Sequence, residues 1–301
     1  MLRADEPPVL RNHAAHGHLG RSARLAGKRK TKQPSERRGA ASRAAIPAQV
    51  LRELHAGRAE TRSLVEWLAL DLARLAENAL PEIVGAAGAE RVAAASRLSA
   101  AAKHGIAERT RVAGAALGAE LGAGRERARR VSALRAHASD TVRGWCAFAV
   151  AAGDGLALGE RLARVRPFAA DPHFGVRELA WMAVRPALAA EIERAVVLLA
   201  PWCAERDAGL RRFASEATRP RGVWCAHIAR LKREPALAAP VLEPLRADPE
   251  KYVRDSVGNW LNDAAKDRPD WVRATCARWT RESPGVETGY VVKRALRTVG
   301  A

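Results

Sequence analysis

Five short segments of this chain carry the same mark, a hydrophobic residue followed by a basic one at an expected helix start. They are Val142-Arg143, Val176-Arg177, Leu210-Arg211, Val253-Arg254 and Val292-Lys293, and the basic positions step by 34, 34, 43 and 39 residues. Acidic or Pro-containing N-cap regions precede three of them, at Asp171-Pro172, Glu205 to Asp207 and Asp248-Pro249. Two units close alike, at Arg185-Pro186 and Arg219-Pro220, and helices such as Ile192 to Trp202 fall between. Repetition at such a period means that each unit buries its apolar face only by stacking on its neighbours. The chain is thereby restricted to a stack of helix pairs.

Two helices per 34 to 43 residues is the period of a HEAT-type repeat. The expected fold is all-α, an α-solenoid of HEAT-like repeats in one curved domain over residues 46–301, with the marked helices lining the concave face. From Pro47 onward, Leu51, Leu54, Leu64, Trp67, Leu68, Leu72 and Leu75 recur at helical spacing. Thr61 is expected to open a helix that Pro81 ends. Residues 83 to 135, rich in Ala and Gly, read as two or three helices. Alanine favours helices over sheets, in keeping with this class.

Residues 1–45 read as a disordered basic tail. The first fifty residues hold eleven Lys/Arg against three Asp/Glu and few large apolar side chains, too little to offset the entropy of ordering. His13, His16 and His18 within it read as a solvated cluster rather than a metal tract. The whole chain carries a formal charge of +18, which points to a polyanionic partner. No apolar run is long enough to span a bilayer, and no apolar signal core opens the chain. Cys146, Cys203, Cys225 and Cys276 are widely spaced and read as buried free thiols of a reducing compartment, with no metal site. A cytoplasmic location follows as the expectation.

The stretch FASEATRPRGVW, Phe213 to Trp224, gathers Glu216, Arg219, Arg221 and Trp224 within nine residues. Pro220 and Gly222 break the helix there, so the carboxylate sits one turn before a helix end and the indole just beyond it. An acid, two cations and an indole beside an open helix end suit a charged, planar, phosphate-bearing ligand, and nucleic acid fits best. Indoles are in excess, eight Trp against four Phe and two Tyr. When the repeats are laid on each other, Arg177, Arg211 and Arg254 form one row. Arg177, Trp181 and Arg185 share a helix face, as do Arg212 and Glu216. Trp260 and Asp263 follow in NWLNDAAKD. Taken singly, an arginine and an acid in such repeats more often pair structurally between neighbours, and a lone Trp is more often core.

LVEWLALDLARL (Leu64 to Leu75), RRFASEATRPRGVW (Arg211 to Trp224) and DPEKYVRDSVGNWLNDAAKDRPDWV (Asp248 to Val272) resemble the HEAT-like DNA alkylation repair glycosylases of the AlkC/AlkD type, closest to AlkC. The resemblance covers most of residues 50 to 280. It implies a monofunctional glycosylase, without metal or cofactor and acting as a monomer, that removes cationic N3- or N7-alkylated purines from duplex DNA. By motif, Glu216 and Asp263 match active-site carboxylates and Trp224 the indole after the RPR string. Arg177, Arg185, Arg211, Arg219, Arg221 and Arg254 are then expected at the DNA, and Trp181, Trp224 or Trp260 at the base or sugar. The family pattern places an acid where this chain has Trp181; either Glu178, one turn earlier on the same face, substitutes, or catalysis is weakened, or the lesion preference is changed. The alternative is a non-catalytic HEAT scaffold that binds damaged or distorted duplex; a third reading is a protein-interaction solenoid.

Overall fold

The computed structural model describes residues 37–153 and 155–300, which leaves most of the expected tail, His13, His16 and His18 included, outside the described residues. From Arg38 onward the chain forms one compact unit. The described residues contain helices and no strand. The first helices are α1 (Ala48–His55), α2 (Leu64–Leu68), α3 (Leu72–Ala79), α4 (Pro81–Val84), α5 (Ala86–Ala101), α6 (Ile106–Ala119) and α7 (Gly124–Arg135). Then come α8 (Asp140–Ala151), α9 (Leu158–Ala169), α10 (Phe174–Ala190), α11 (Ile192–Leu199) and α12 (Ala208–Ala217). The last are α13 (Ala229–Arg233), α14 (Ala239–Leu242), α15 (Lys251–Ala265), α16 (Pro269–Glu282) and α17 (Val286–Ala295).

The marked helices form one row, in which α8 packs on α10, α10 on α12, α12 on α15 and α15 on α17, with α6 added at the α8 end. Helices α9, α11, α14 and α16 back this row. The repeat mark has a local cause. Four residues into each inner helix, one guanidinium takes two carbonyls of the loop that enters that helix. Arg177 donates to Asp171 O and Pro172 O at 2.6 and 2.9 Å, and Arg211 to Glu205 O and Arg206 O at 2.9 Å each. Arg254 donates to Asp248 O and Pro249 O at 2.7 Å each, and Arg143 to His137 O at 2.8 Å. Backbone acceptors in a half-buried loop need partners, and this arginine supplies them at α8, α10, α12 and α15. The hydrophobic residue before it is buried each time.

Several local expectations need correction. Val292-Lys293 lies in the last turn of α17 rather than at a helix start. Thr61 does not open a helix; Ser63 caps α2, and Asp71 caps a separate α3. Pro81 occupies the first turn of α4, where its missing N–H costs nothing, instead of ending a helix. Helix α10 continues through Arg185-Pro186 to Ala190. Residues 83–135, by contrast, hold three helices after α4, namely α5 to α7, within the two or three expected.

The rows approach closely where glycine permits it. A Cβ on Gly114 of α6 would lie 2.4 Å from Phe148 Cβ and 3.1 Å from Trp145 O of α8. Gly114→Ala is therefore expected to lower stability by about 1–3 kcal/mol through overpacking, read by denaturant unfolding. A variant as stable as the parent would mean that α6 and α8 slide apart freely.

Candidate active site

The inner helices bring the Phe213 to Trp224 stretch together with α2 and the first turns of α8 and α10. Between them lies a cavity of about 340 Å³. Its walls include Trp67 of α2, Trp181 and Met182 of α10, and Trp224 of the loop after α12; Asp140, Glu178, Arg212, Glu216 and Arg219 supply its charge. Trp67 and Trp224 meet at 5.8 Å between ring centroids, tilted by 35°. Trp224 is 52% exposed and holds φ +57°, a conformation L residues rarely adopt, so strained backbone keeps this indole at the mouth. Leu64, Phe174 and Val223, each close to half exposed, complete an apolar rim.

Beneath the rim the charged groups are knitted together. Glu216, only 4% exposed, accepts from Arg219 at 2.7 Å on Oε1 and from Ser256 Oγ at 2.7 Å on Oε2. Arg212 stands 3.4 Å from the same Oε2. Burial pushes the Glu216 carboxyl upward, but Arg212, Arg219 and Ser256 outweigh it and leave its pKa below the ordinary carboxylate value. Arg219 also grips Asp263, with Nε and Nη2 at 2.8 and 2.7 Å from Oδ2. Glu178 is the more accessible acid. Its Oε1 meets Arg212 at 2.7 Å and its Oε2 accepts the Trp181 indole N–H at 2.9 Å, and it sits one turn from that indole on α10.

Of the residues expected from sequence, Glu178, Trp181, Glu216, Arg219 and Trp224 converge on this cavity. Asp263 does not line it: Arg219 stands between the two carboxylates, so Glu216 and Asp263 share a cation rather than face a ligand from two sides. Trp260 is fully buried and donates to Thr218 O at 3.0 Å, so it braces the end of α12 and does not line the cavity. Arg185 is 2% exposed and donates to the carbonyls of Ala217, Arg219 and Ala226. It fixes the loop that carries Trp224. Arg211 makes a two-pronged pair with Asp248 at 2.6 and 3.0 Å, and Arg221 pairs with Asp267 at 3.0 Å. These are the structural pairs between neighbouring repeats. Arg177 and Arg254 are half-buried, bound to their loops, and stacked on Tyr252 and Tyr290 at 5.0 and 5.6 Å.

Three groups at the cavity were not singled out from sequence as site residues. Trp67 comes from α2, and Thr61 and Asp140 meet through contacts 79 residues apart. The signal for Trp67 was in LVEWLALDLARL; that for Asp140 was its place three residues before the Arg143 mark. Cys146 and Cys203 are buried, and burial pushes both thiols up to about 12, which rules them out as nucleophiles.

No family model matches the chain. Over 117 residues it is 38% identical to the uncharacterized protein YhaZ of Bacillus subtilis (strain 168), a match that covers 39% of this chain and 32% of that protein. The chain thus spans about a third of the length of the curated relative it matches. It superposes with a TM-score of 0.60 and 24% identity on Pseudomonas fluorescens alkylpurine DNA glycosylase AlkC bound to DNA containing an abasic site analog, covering 85% of this chain and 65% of that one. AlkD2 from Streptococcus mutans matches with a TM-score of 0.53 and 22% identity, over 71% of this chain and 100% of that one. The chain is thus an α-solenoid with the fold seen in AlkC and AlkD2.

Proposed function

We propose that this protein is a DNA glycosylase that releases cationic N3- or N7-alkylated purines from duplex DNA. The observation that carries the reading is the cavity itself, walled by Trp67, Trp181 and Trp224 with Glu178 and Glu216 beneath them. Indole faces attract a cation, by up to about 2 kcal/mol where water is excluded. An alkylated purine is planar, apolar on its faces and positively charged, and it matches that lining. The AlkC structure of this fold holds DNA, which supports DNA as the partner.

An alkylated purine already carries the charge that makes it a leaving group. The C1′–N9 bond breaks with its electron pair on the base, which departs neutral. The sugar left behind is an oxocarbenium-like cation, which the carboxylates of Glu178 and Glu216 stabilise. Water then bonds to C1′, and its proton passes to Glu178, the more accessible of these two acids, and on to solvent. Glu216, held as an anion by Arg212 and Arg219, contributes fixed negative charge instead of taking a proton. Trp181, standing where the family pattern has an acid, is only 2% exposed; it backs the cavity wall and positions Glu178 by its N–H.

The indole wall is tested by Trp224→Ala. The variant is expected to release 7-methylguanine from methylated duplex about tenfold more slowly, the equivalent of about 1.4 kcal/mol. Its affinity for undamaged duplex is expected to stay within about twofold. An unchanged release rate would remove Trp224 from base recognition. A non-catalytic scaffold is the second reading, favoured by the ion pairs that occupy Glu216 and Asp263. It predicts tight, salt-sensitive duplex binding with no release by the parent protein.

A further inference from the structure

The cavity has a second polar wall, opposite in character to the ion-paired one. Asp140, in the first turn of α8, is 3% exposed and lines the cavity with Thr61. Its Oδ1 accepts the Thr61 N–H at 3.0 Å, and its Oδ2 lies 2.6 Å from Thr61 Oγ1. The charged and titratable groups around it give it little support as an anion. From α10 comes His173, whose Nδ1 is 3.5 Å away. That Nδ1 accepts the Gly175 N–H at 3.2 Å, and the Nε2 of the same residue meets Thr61 O at 2.7 Å, so the ring is already engaged on both sides. From its own helix comes Arg143, which is committed to Asp171 and to Glu60. Burial raises the Asp140 carboxyl above its ordinary pKa, and His173, Thr61 and Arg143 offset this only in part. Asp140 and Glu216 are thus two carboxyls on one cavity whose surroundings drive them apart, one toward the acid and one toward the anion.

Removal of a cationic alkylpurine needs no acid, so the glycosylase chemistry above leaves Asp140 unused. We propose that Asp140, through Thr61 Oγ1, is a proton donor to the leaving base, and that the cavity therefore also releases uncharged modified purines such as hypoxanthine. The inference rests on the glycosylase reading. When Asp140 is protonated, its Oδ2–H points to Thr61 Oγ1, which frees the threonine hydroxyl to donate into the cavity. The Asp140 proton moves to Thr61 as the threonine proton passes to a ring nitrogen of the purine. The C1′–N9 bond then breaks with its electron pair on the base, which leaves neutral. Water bonds to C1′, its released proton passes through Glu178 to solvent, and Asp140 regains a proton from solvent. One water is consumed and nothing is oxidised or reduced.

The test measures single-turnover release of hypoxanthine and of 7-methylguanine from otherwise identical duplexes, across a range of pH. Asp140 donates only while protonated, so hypoxanthine release is expected to fall as pH rises through its folded-state pKa. Release of 7-methylguanine is expected not to share that fall. Asp140→Asn is expected to lower the ratio of hypoxanthine to 7-methylguanine release about 100-fold, and Thr61→Val to lower it in the same direction. The wild-type pH profile carries the test if either variant fails to fold. Release of 7-methylguanine without hypoxanthine would overturn the inference and leave the glycosylase reading standing. So would a parallel fall of both rates in Asp140→Asn, the result expected if Asp140 only anchors the Thr61 loop. Release of neither base would overturn the reading and the inference with it.

Discussion

Arg219→Met is expected to destabilise the fold by about 3–5 kcal/mol, the largest effect of any single substitution at this site. The Arg219 side chain bridges Glu216 and Asp263, both about 95% buried, with contacts of 2.7 to 2.8 Å to each. Without it two carboxylates stay in a low-dielectric setting, with Arg212 and Lys266 as their remaining cations at 3.4 and 3.5 Å. Burying a charge without its partner costs far more than the intact pair gains. Neutralising all three groups together, as Glu216→Gln, Arg219→Met and Asp263→Asn, is expected to recover at least about half of the loss in urea unfolding. A triple variant no more stable than Arg219→Met would mean that packing, not charge, carries the effect. The pH dependence has a definite sign. Glu216 has a folded-state pKa below its ordinary value, so its contribution is complete above the ordinary carboxylate pKa and is lost as pH falls through the folded one.

Glu178→Gln is the second large effect, and it falls on catalysis. Glu178 lines the cavity and is about a third exposed, while Glu216, the other carboxylate of the proposed mechanism, is buried beneath it. The amide keeps the shape and still accepts the Trp181 N–H, but it carries no charge for the sugar cation and takes no proton from water. Release of 7-methylguanine is expected to fall about 100-fold, in the range of a lost general base. Unfolding free energy is expected to change less than in Arg219→Met, because the buried Arg212 keeps Glu216 as a partner at 3.4 Å. A release rate within about threefold of the parent would move the proton-accepting role away from Glu178.

The sequence carried the architecture because the structural cause of each repeat is local. One arginine must satisfy the loop six residues before it, so the Val-Arg mark recurs wherever an inner helix begins. Where that requirement ends, at α17, the same pair of residue types means nothing about a helix start. Prolines misled for a related reason: at Pro81 and Pro186 the chemistry permits both a stop and a continuation, and packing decides. At the site, Glu216, Arg219 and Trp224 were legible because one helix end and its loop carry them all. Arg211 and Trp260 belong to the same strings, yet they serve the scaffold. Adjacency in sequence does not tell the face of a helix from its buried edge. Asp140, Thr61 and His173 were out of reach because they meet across 79 and 112 residues. Trp67 reaches Trp224 across a still longer gap.

The glycosylase reading is tested most directly by chromatographic measurement of free 3-methyladenine and 7-methylguanine released from methylated duplex DNA by the wild-type protein. The account predicts release well above the spontaneous rate, leaving abasic sites in equal number to the bases freed. Release no faster than the spontaneous rate, by protein that binds the same duplex tightly, would contradict it and leave a damage-binding solenoid.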